Sequence, residues 1–82
     1  MLTKVILMVI SAFGKVLRKL RERQNLSQEK LAEYCDLDRT YISLLERGLR
    51  QPTITTLFKI AEAIKVAPSE IIKQVEKECI HK

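Results

Sequence analysis

Apolar residues recur at helical spacing along most of the chain. In the first third, Phe13, Leu17 and Leu20 follow the 3.6-residue period with Val16 beside them, and basic residues occupy the other faces. This pattern predicts a first helix over about residues 11–24. We expect Asn25 to end it, because asparagine enters the left-handed backbone region more readily than most residues.

A short second helix is predicted after Ser27, a residue type that caps helix starts well. Glu29 falls in its first turn, where the helix dipole favours a negative charge. Asp36 then falls at a turn. The residues expected to face inward are Leu31, Ala32 and Cys35.

A third helix is predicted from Arg39 to about Arg47, with Asp38 as its cap. Ile42 and Leu45 form its apolar side. Gly48 is well placed to stop this helix, because glycine accepts positive φ at no steric cost. Helices 2 and 3 therefore read as two short helices joined by a tight turn, with the outer side of the second left polar.

Two more helices follow a loop at residues 49–52. Thr53 is a plausible cap for the fourth helix, and Pro68 fits the first turn of the fifth. Their apolar positions at helical spacing are Ile54, Leu57, Ile60, Ala61 and Ile64, then Ile71, Ile72 and Val75. With no convincing strand, the pattern predicts an all-α, compact five-helix bundle containing a helix-turn-helix.

Residues 1–10 allow more than one interpretation. Val5, Ile6, Val9 and Ile10 continue the apolar stripe of the first helix backwards, which favours one long helix. Six consecutive apolar residues rich in β-branched types are also compatible with a strand that pairs with a second copy. A third possibility is that translation starts at Met8. We treat 1–82 as one domain, with an apolar extension (1–10), a core (11–75) and a charged tail (76–82).

Composition narrows the class of protein. An 82-residue chain with 46% apolar residues is long enough for one small core. Its net charge of +5 suits a partner with a phosphate backbone, and it would also suit an anionic membrane. No apolar run approaches the roughly 20 residues that span a bilayer. Charge alone does not separate these partners.

The residues that carry chemistry are few. Cys35 and Cys79 form no metal-binding motif, so we expect no zinc site and a reduced, cytoplasmic setting. His81 is the sole histidine, there is no glycine-rich phosphate loop, and no base accompanies a nucleophile. We therefore expect neither catalysis nor a cofactor, and no small-molecule ligand.

Residues 13–75 resemble the Cro and phage-repressor family of helix-turn-helix regulators, also called Xre-type. The resemblance is carried by the strings LSQEKLA (26–32), DRTYISLLERG (38–48) and PTITTLFKIA (52–61). Within that family, segment 37–43 looks most like the controller proteins of restriction-modification systems. Ala32 fits the position where the two helices cross closely. Asp36 stands where the family usually has glycine, a tolerable change because Asp enters positive φ more readily than most residues.

The resemblance implies a recognition helix that enters the major groove of DNA. The positions matching the family's base contacts are Arg39, Thr40, Ser43 and Leu44. Arg39 could grip the O6 and N7 atoms of guanine, and the Leu44 side chain could touch a thymine methyl. Contacts to the DNA backbone are expected from Gln28, Tyr41, Arg47, Arg50, Gln51 and Arg18. An ion pair between Arg21 and Glu46 is also implied, and it would tie helix 1 to helix 3.

A single domain of this size offers few base contacts, so we expect a homodimer that reads an inverted repeat in double-stranded DNA. Ile71, Ile72 and Val75 are the predicted interface, unless they only complete the core of one chain. The apolar residues 1–10 are a second candidate interface. The rival function is a protein-interaction module of the same fold, such as an antitoxin or anti-repressor, and a further rival is membrane association through residues 1–10.

Overall fold

A computed structural model describes residues 2–80 of the chain, and these residues form helices joined by short turns. The helices are α1 (Leu2–Arg23), α2 (Gln28–Cys35), α3 (Arg39–Glu46), α4 (Ile54–Ile64) and α5 (Pro68–Ile80). No strand occurs within 2–80. The predicted all-α, five-helix class is confirmed.

The first helix is a single element of 22 residues that starts at Leu2. The interpretation of residues 1–10 as a continuation of helix 1 is therefore confirmed for the described part, and a strand there is excluded. Val5, Ile6 and Val9 are 57%, 50% and 40% exposed, whereas burial in the core begins at Ala12. The first two turns of α1 thus project beyond the body of the domain.

Local capping explains most of the helix boundaries. The Ser27 hydroxyl accepts a hydrogen bond from the backbone N–H of Lys30 at 2.9 Å, and the Thr53 hydroxyl accepts one from Thr56 N–H at 3.1 Å. Asp38 also occupies the cap position of α3, but its side chain makes no capping hydrogen bond. Asn25 has φ of 58°, as predicted for the end of α1.

The core lies where α1 packs against α3 and α5, and where α2 packs against α3 and α4. Its largest fully buried side chains are Leu17, Leu31, Ile42, Leu45, Ile60, Ile64 and Ile71. Ile54, the first of the apolar positions predicted for the fourth helix, is the first residue of α4 and is 70% exposed. Cys35 is buried among apolar groups, and this desolvation raises the pKa of its thiol.

Helix α5 corrects part of the predicted interface. Ile71 and Val75 are 1% and 7% exposed, so both complete the core of the single chain. Of the three predicted interface residues, only Ile72, at 51% exposure, presents an apolar surface. The helix also continues to Ile80, through most of the segment expected to be a charged tail. His81 lies outside the described residues.

Gly14 allows α1 to cross the end of α3 at very short range. A Cβ atom built on Gly14 would lie 2.5 Å from the carbonyl oxygen of Leu45 and 2.7 Å from that of Glu46. Both obstacles are backbone atoms, which cannot swing aside as the end of a side chain can. A side chain at position 14 would therefore force the two helices apart.

Candidate nucleic-acid interface

The outer face of α3 is open to solvent. Arg39, Thr40 and Arg47 are exposed, and Ser43 and Leu44 are half-buried. These positions lie on one side of the helix, opposite the fully buried Ile42 and Leu45. No hydrogen bond or ion pair within residues 2–80 ties down the Arg39 side chain. The polar face expected to meet DNA is therefore uncovered in the single chain.

The turn before α3 sets the angle at which that face is presented. Asp36 has φ of 56° and ψ of 46°, a left-handed conformation. This agrees with the family resemblance, in which glycine usually occupies this position. The Leu37 N–H donates to the Ala32 carbonyl oxygen at 2.9 Å, which closes the end of α2. Leu37 itself packs against the core. The turn is thus fixed by backbone bonds and by one apolar contact.

The far end of α3 is held by a two-pronged ion pair. Arg21 Nε donates to Glu46 Oε2 at 2.6 Å, and Arg21 Nη2 donates to Glu46 Oε1 at 3.0 Å. Arg21 Nη1 also donates to the Leu26 carbonyl oxygen at 2.6 Å. The two charged side chains are only 11% and 3% exposed. The ion pair expected from the resemblance is therefore present, and the hydrogen bond to Glu46 raises the pKa of Arg21.

Gln28, the first residue of α2, is joined to the same carboxylate. Its Nε2 atom donates to Glu46 Oε1 at 3.0 Å. The amide oxygen and the second N–H of this half-buried side chain are not used in that bond. Glu46 therefore links α1, α2 and α3 at one point, next to the side chain expected to contact a phosphate.

The other residues expected to contact the DNA backbone are less uniform. Arg50 and Gln51 are exposed in the loop after α3, and this loop is held close to α1 because Gly48, with φ of 72°, lies beside Ser11. Tyr41 is half-buried and packs partly against the core. Arg18 is exposed but bonds Glu22 on its own helix at 3.2 Å.

Two features of this region escaped sequence reasoning. The bond from Gln28 to Glu46 joins residues 18 positions apart, and no local pattern announces it. The close approach at Gly14 had a signal, because a glycine inside a strongly periodic helix costs about 1 kcal/mol relative to alanine and indicates a packing reason.

Other kinds of site find no support in the described chain. Within residues 2–80, no group of His, Cys, Asp and Glu side chains could hold a metal ion. The helices within residues 2–80 all fall short of the combination of length and hydropathy that a membrane-spanning segment needs.

Comparison with known proteins identifies the family of this arrangement. The sequence profile of the helix-turn-helix family HTH_3 matches residues 17–71, more than half of the chain. The chain is 46% identical over 61 residues to the control protein C.BamHI of Bacillus amyloliquefaciens, covering 73% of this chain and 75% of that protein. It is 45% identical over 67 residues to the control protein C.MunI of a Mycoplasma species, covering 80% and 90%.

Solved structures give the same result. The restriction-modification controller protein C.AhdI of Aeromonas hydrophila superposes with a TM-score of 0.74 at 40% identity, covering 76% of this chain and 94% of that one. The controller protein C.Esp1396I, solved as a tetramer in complex with its natural 35 base-pair operator, superposes with a TM-score of 0.80 at 35% identity. That match covers 88% of this chain and 95% of the other.

Proposed function

Because this chain belongs to the helix-turn-helix family of DNA-binding transcriptional regulators and controller proteins, we propose that it reads an inverted-repeat operator as a homodimer. Members of this family regulate transcription and are not enzymes. The observation that carries the proposal is the uncovered outer face of α3. The helix that presents this face is anchored at its last residue, Glu46. A rigid helix with free polar side chains at its start fits the major groove.

Four side chains on α3 read bases in this proposal. Arg39 donates both prongs of its guanidinium to the O6 and N7 atoms of a guanine. Thr40 and Ser43 donate to or accept from base edges, and Leu44 contacts a thymine methyl. The exposure of Arg39 and Thr40 supports these roles, because neither side chain has to leave the core to reach a base.

Contacts to phosphate set the register of α3 in the groove. Gln28 donates with the N–H that Glu46 leaves unused, and the amide is already oriented by that carboxylate. The exposed Arg47, Arg50 and Gln51 flank the same end of α3. Tyr41 contributes its hydroxyl, and Arg18 contributes its charge after exchanging Glu22 for phosphate.

Two copies are proposed because one copy has too few base contacts for a selective site. A two-fold dimer places two α3 helices in successive major grooves, about 34 Å or one helical turn apart. The controller protein C.Esp1396I is described as a tetramer on a 35 base-pair operator, which supports an assembly of several copies here. A regulator of this kind acts in the cytoplasm, where the operator is.

The test starts from an operator obtained by selecting bound duplexes from random oligonucleotides. We expect Arg39→Ala to weaken operator binding by about 1–3 kcal/mol and to relax the preference at one base position in each half-site. Arg23→Ala is the matched control, because it removes an equally exposed arginine at the far end of α1. Equal operator affinity for wild type and Arg39→Ala would contradict the assignment.

Salt dependence separates DNA reading from the rival functions. Operator binding should weaken steeply as salt rises, with a logarithmic slope of about −0.9 per phosphate contact. A protein-interaction module such as an antitoxin or anti-repressor should instead leave no footprint on any duplex, and the proposal would then be abandoned.

A further inference from the structure

The projecting start of α1 carries an apolar ridge. Val5, Ile6 and Val9 lie on the side of the helix that also holds Phe13, so the ridge continues the face that packs into the core. All three ridge side chains are 40–57% exposed. Three apolar neighbours in the open, beyond the end of the core, indicate a surface that another molecule covers.

Beside the ridge lies an apolar groove of about 390 Å³. Its walls come from the loop at residues 51–53 and from three helices, with Val9, Ile10 and Phe13 on α1, Ile54 and Leu57 on α4, and Ile72 and Val75 on α5. Val9 therefore belongs to both the ridge and the groove. Ile54 and Ile72 are 70% and 51% exposed. The groove and the ridge therefore form one continuous apolar surface that combines a projection with a depression.

Charge indicates which partner fits this surface. None of the residues that line the groove is charged, and the only charged residue in segment 2–10 is Lys4. The chain as a whole carries a net charge of +5, so two copies repel each other, and a contact surface without charges is the one that adds least to this repulsion. This surface is suited to a second copy of the same chain.

The surface area that a stable dimer must bury also favours a second copy as the partner. A stable interface buries about 800 Å² on each copy. Helix α5 is not enough alone, since the large apolar side chains that it exposes are only Ile72 and Ile80. The ridge adds three further exposed apolar side chains, and one of them, Val9, lines the same groove as Ile72. It also lies outside the part of the chain, residues 17–71, that the family profile matches.

We propose that the ridge of each copy packs into the groove of the other. The contact is reciprocal, as a two-fold dimer requires, because one surface holds both the projection and the depression. This inference rests on the proposed function, since it takes the DNA-reading dimer as the assembly that the ridge stabilises. It adds the segment that holds the two copies together.

The test measures mass in solution by sedimentation velocity over a wide range of protein concentration. We expect the wild type to have the mass of two chains, and Ile6→Glu and Ile72→Glu each to raise the dimer dissociation constant at least tenfold. Leu7→Glu is the matched control. Leu7 is 60% exposed in the same turns but lies about 100° around the helix from Ile6, so the dissociation constant should change little.

A mixing experiment guards against loss of folding. Ile6→Glu and Ile72→Lys should each be monomeric alone and should associate when mixed, because the new charges then face each other across the proposed contact. Failure to associate when mixed, with both variants shown to be helical by circular dichroism, would overturn the proposal.

Three other outcomes would assign the ridge to a membrane or would show which of the two proposals is wrong. Binding to vesicles containing phosphatidylserine that Ile6→Glu abolishes, with a monomeric wild type, would assign the ridge to a membrane surface and overturn this inference. If the wild type protects its operator as a dimer, and if neither Ile6→Glu nor Ile72→Glu changes the dimer dissociation constant, this inference is wrong but the proposed function stands. If the wild type protects no specific DNA sequence at all, the proposed function is wrong.

Discussion

The two ends of α3 are built in opposite ways. At its start, Arg39 and Thr40 are exposed, and within residues 2–80 no bond restrains the Arg39 side chain. At its end, the Glu46 carboxylate accepts two hydrogen bonds from Arg21 and one from Gln28. The contrast teaches that one end of the helix positions it and the other end is left free to contact a partner. Substitutions in the Glu46 network should therefore change the stability of the fold, whereas substitution of Arg39 should change DNA binding with little effect on stability.

The largest expected effect comes from removing the anchor. Glu46→Ala should lower the free energy of unfolding by about 3–5 kcal/mol, because it leaves the largely buried Arg21 without its counter-charge. Urea unfolding followed by circular dichroism measures this. The control is the double variant Arg21→Met with Glu46→Leu, which should be less destabilised than Glu46→Ala. Equal losses in both variants would show that the charge is not buried as described.

The close crossing of α1 and α3 gives the next largest effect. Gly14→Ala should destabilise the fold by about 1–3 kcal/mol, because the added methyl group meets backbone oxygens of Leu45 and Glu46. The direction is diagnostic, since alanine normally stabilises a helix relative to glycine by about 1 kcal/mol. Thermal and urea unfolding measure the change, with the exposed Arg23→Ala as control. A stabilised Gly14→Ala would mean that the helices do not approach so closely.

A smaller effect is expected where the anchor meets the DNA-facing surface. Gln28→Ala should cost about 1–2 kcal/mol of stability through the lost bond to a charged carboxylate. It should also weaken binding to all DNA sequences alike, since a phosphate contact carries no sequence preference. Gln51→Ala is the control for the stability measurement alone, because its exposed amide lies outside the Glu46 network. Loss of stability in both variants to the same degree would contradict the special position of Gln28.

The smallest effect on folding is predicted at the free end. Arg39→Ala should change the free energy of unfolding by no more than about 0.5 kcal/mol, as is usual for an exposed residue without a structural partner. The same urea experiment measures it, beside the loss of operator affinity already predicted. A large loss of stability would show that the two ends of α3 are not divided between positioning and reading.

Local features of this molecule could be predicted from the sequence. Ser27 and Thr53 cap helices through hydrogen bonds to residues three positions away, so the chain itself contains the signal. Asn25 and Gly48 adopt positive φ for reasons intrinsic to their residue types, since asparagine tolerates this region and glycine has no Cβ atom to clash. The helix boundaries follow from such residues. The Arg21–Glu46 pair was reached only through the family resemblance.

Features that depend on how helices are arranged in space could not be predicted in the same way. The apolar period of α5 identified Ile71, Ile72 and Val75 as one stripe, but periodicity does not say what covers each position. Packing against α1 and α4 buries two of them and leaves Ile72 exposed. Gln28 likewise met Glu46 only because α2 and α3 cross at the angle that the Asp36 turn fixes.

The unbroken length of α1 has a consequence for the DNA that this protein would select. A helix of 22 residues is about 33 Å long, and here it runs from the apolar projection at one end to Arg21 near the other. If the ridge of each copy packs into the groove of the other, this stiff rod of constant length helps to fix the distance between the two α3 helices. Operators with one base pair added or removed at the centre should then bind more weakly, because the continuous helix α1 has no hinge between the ridge and Arg21.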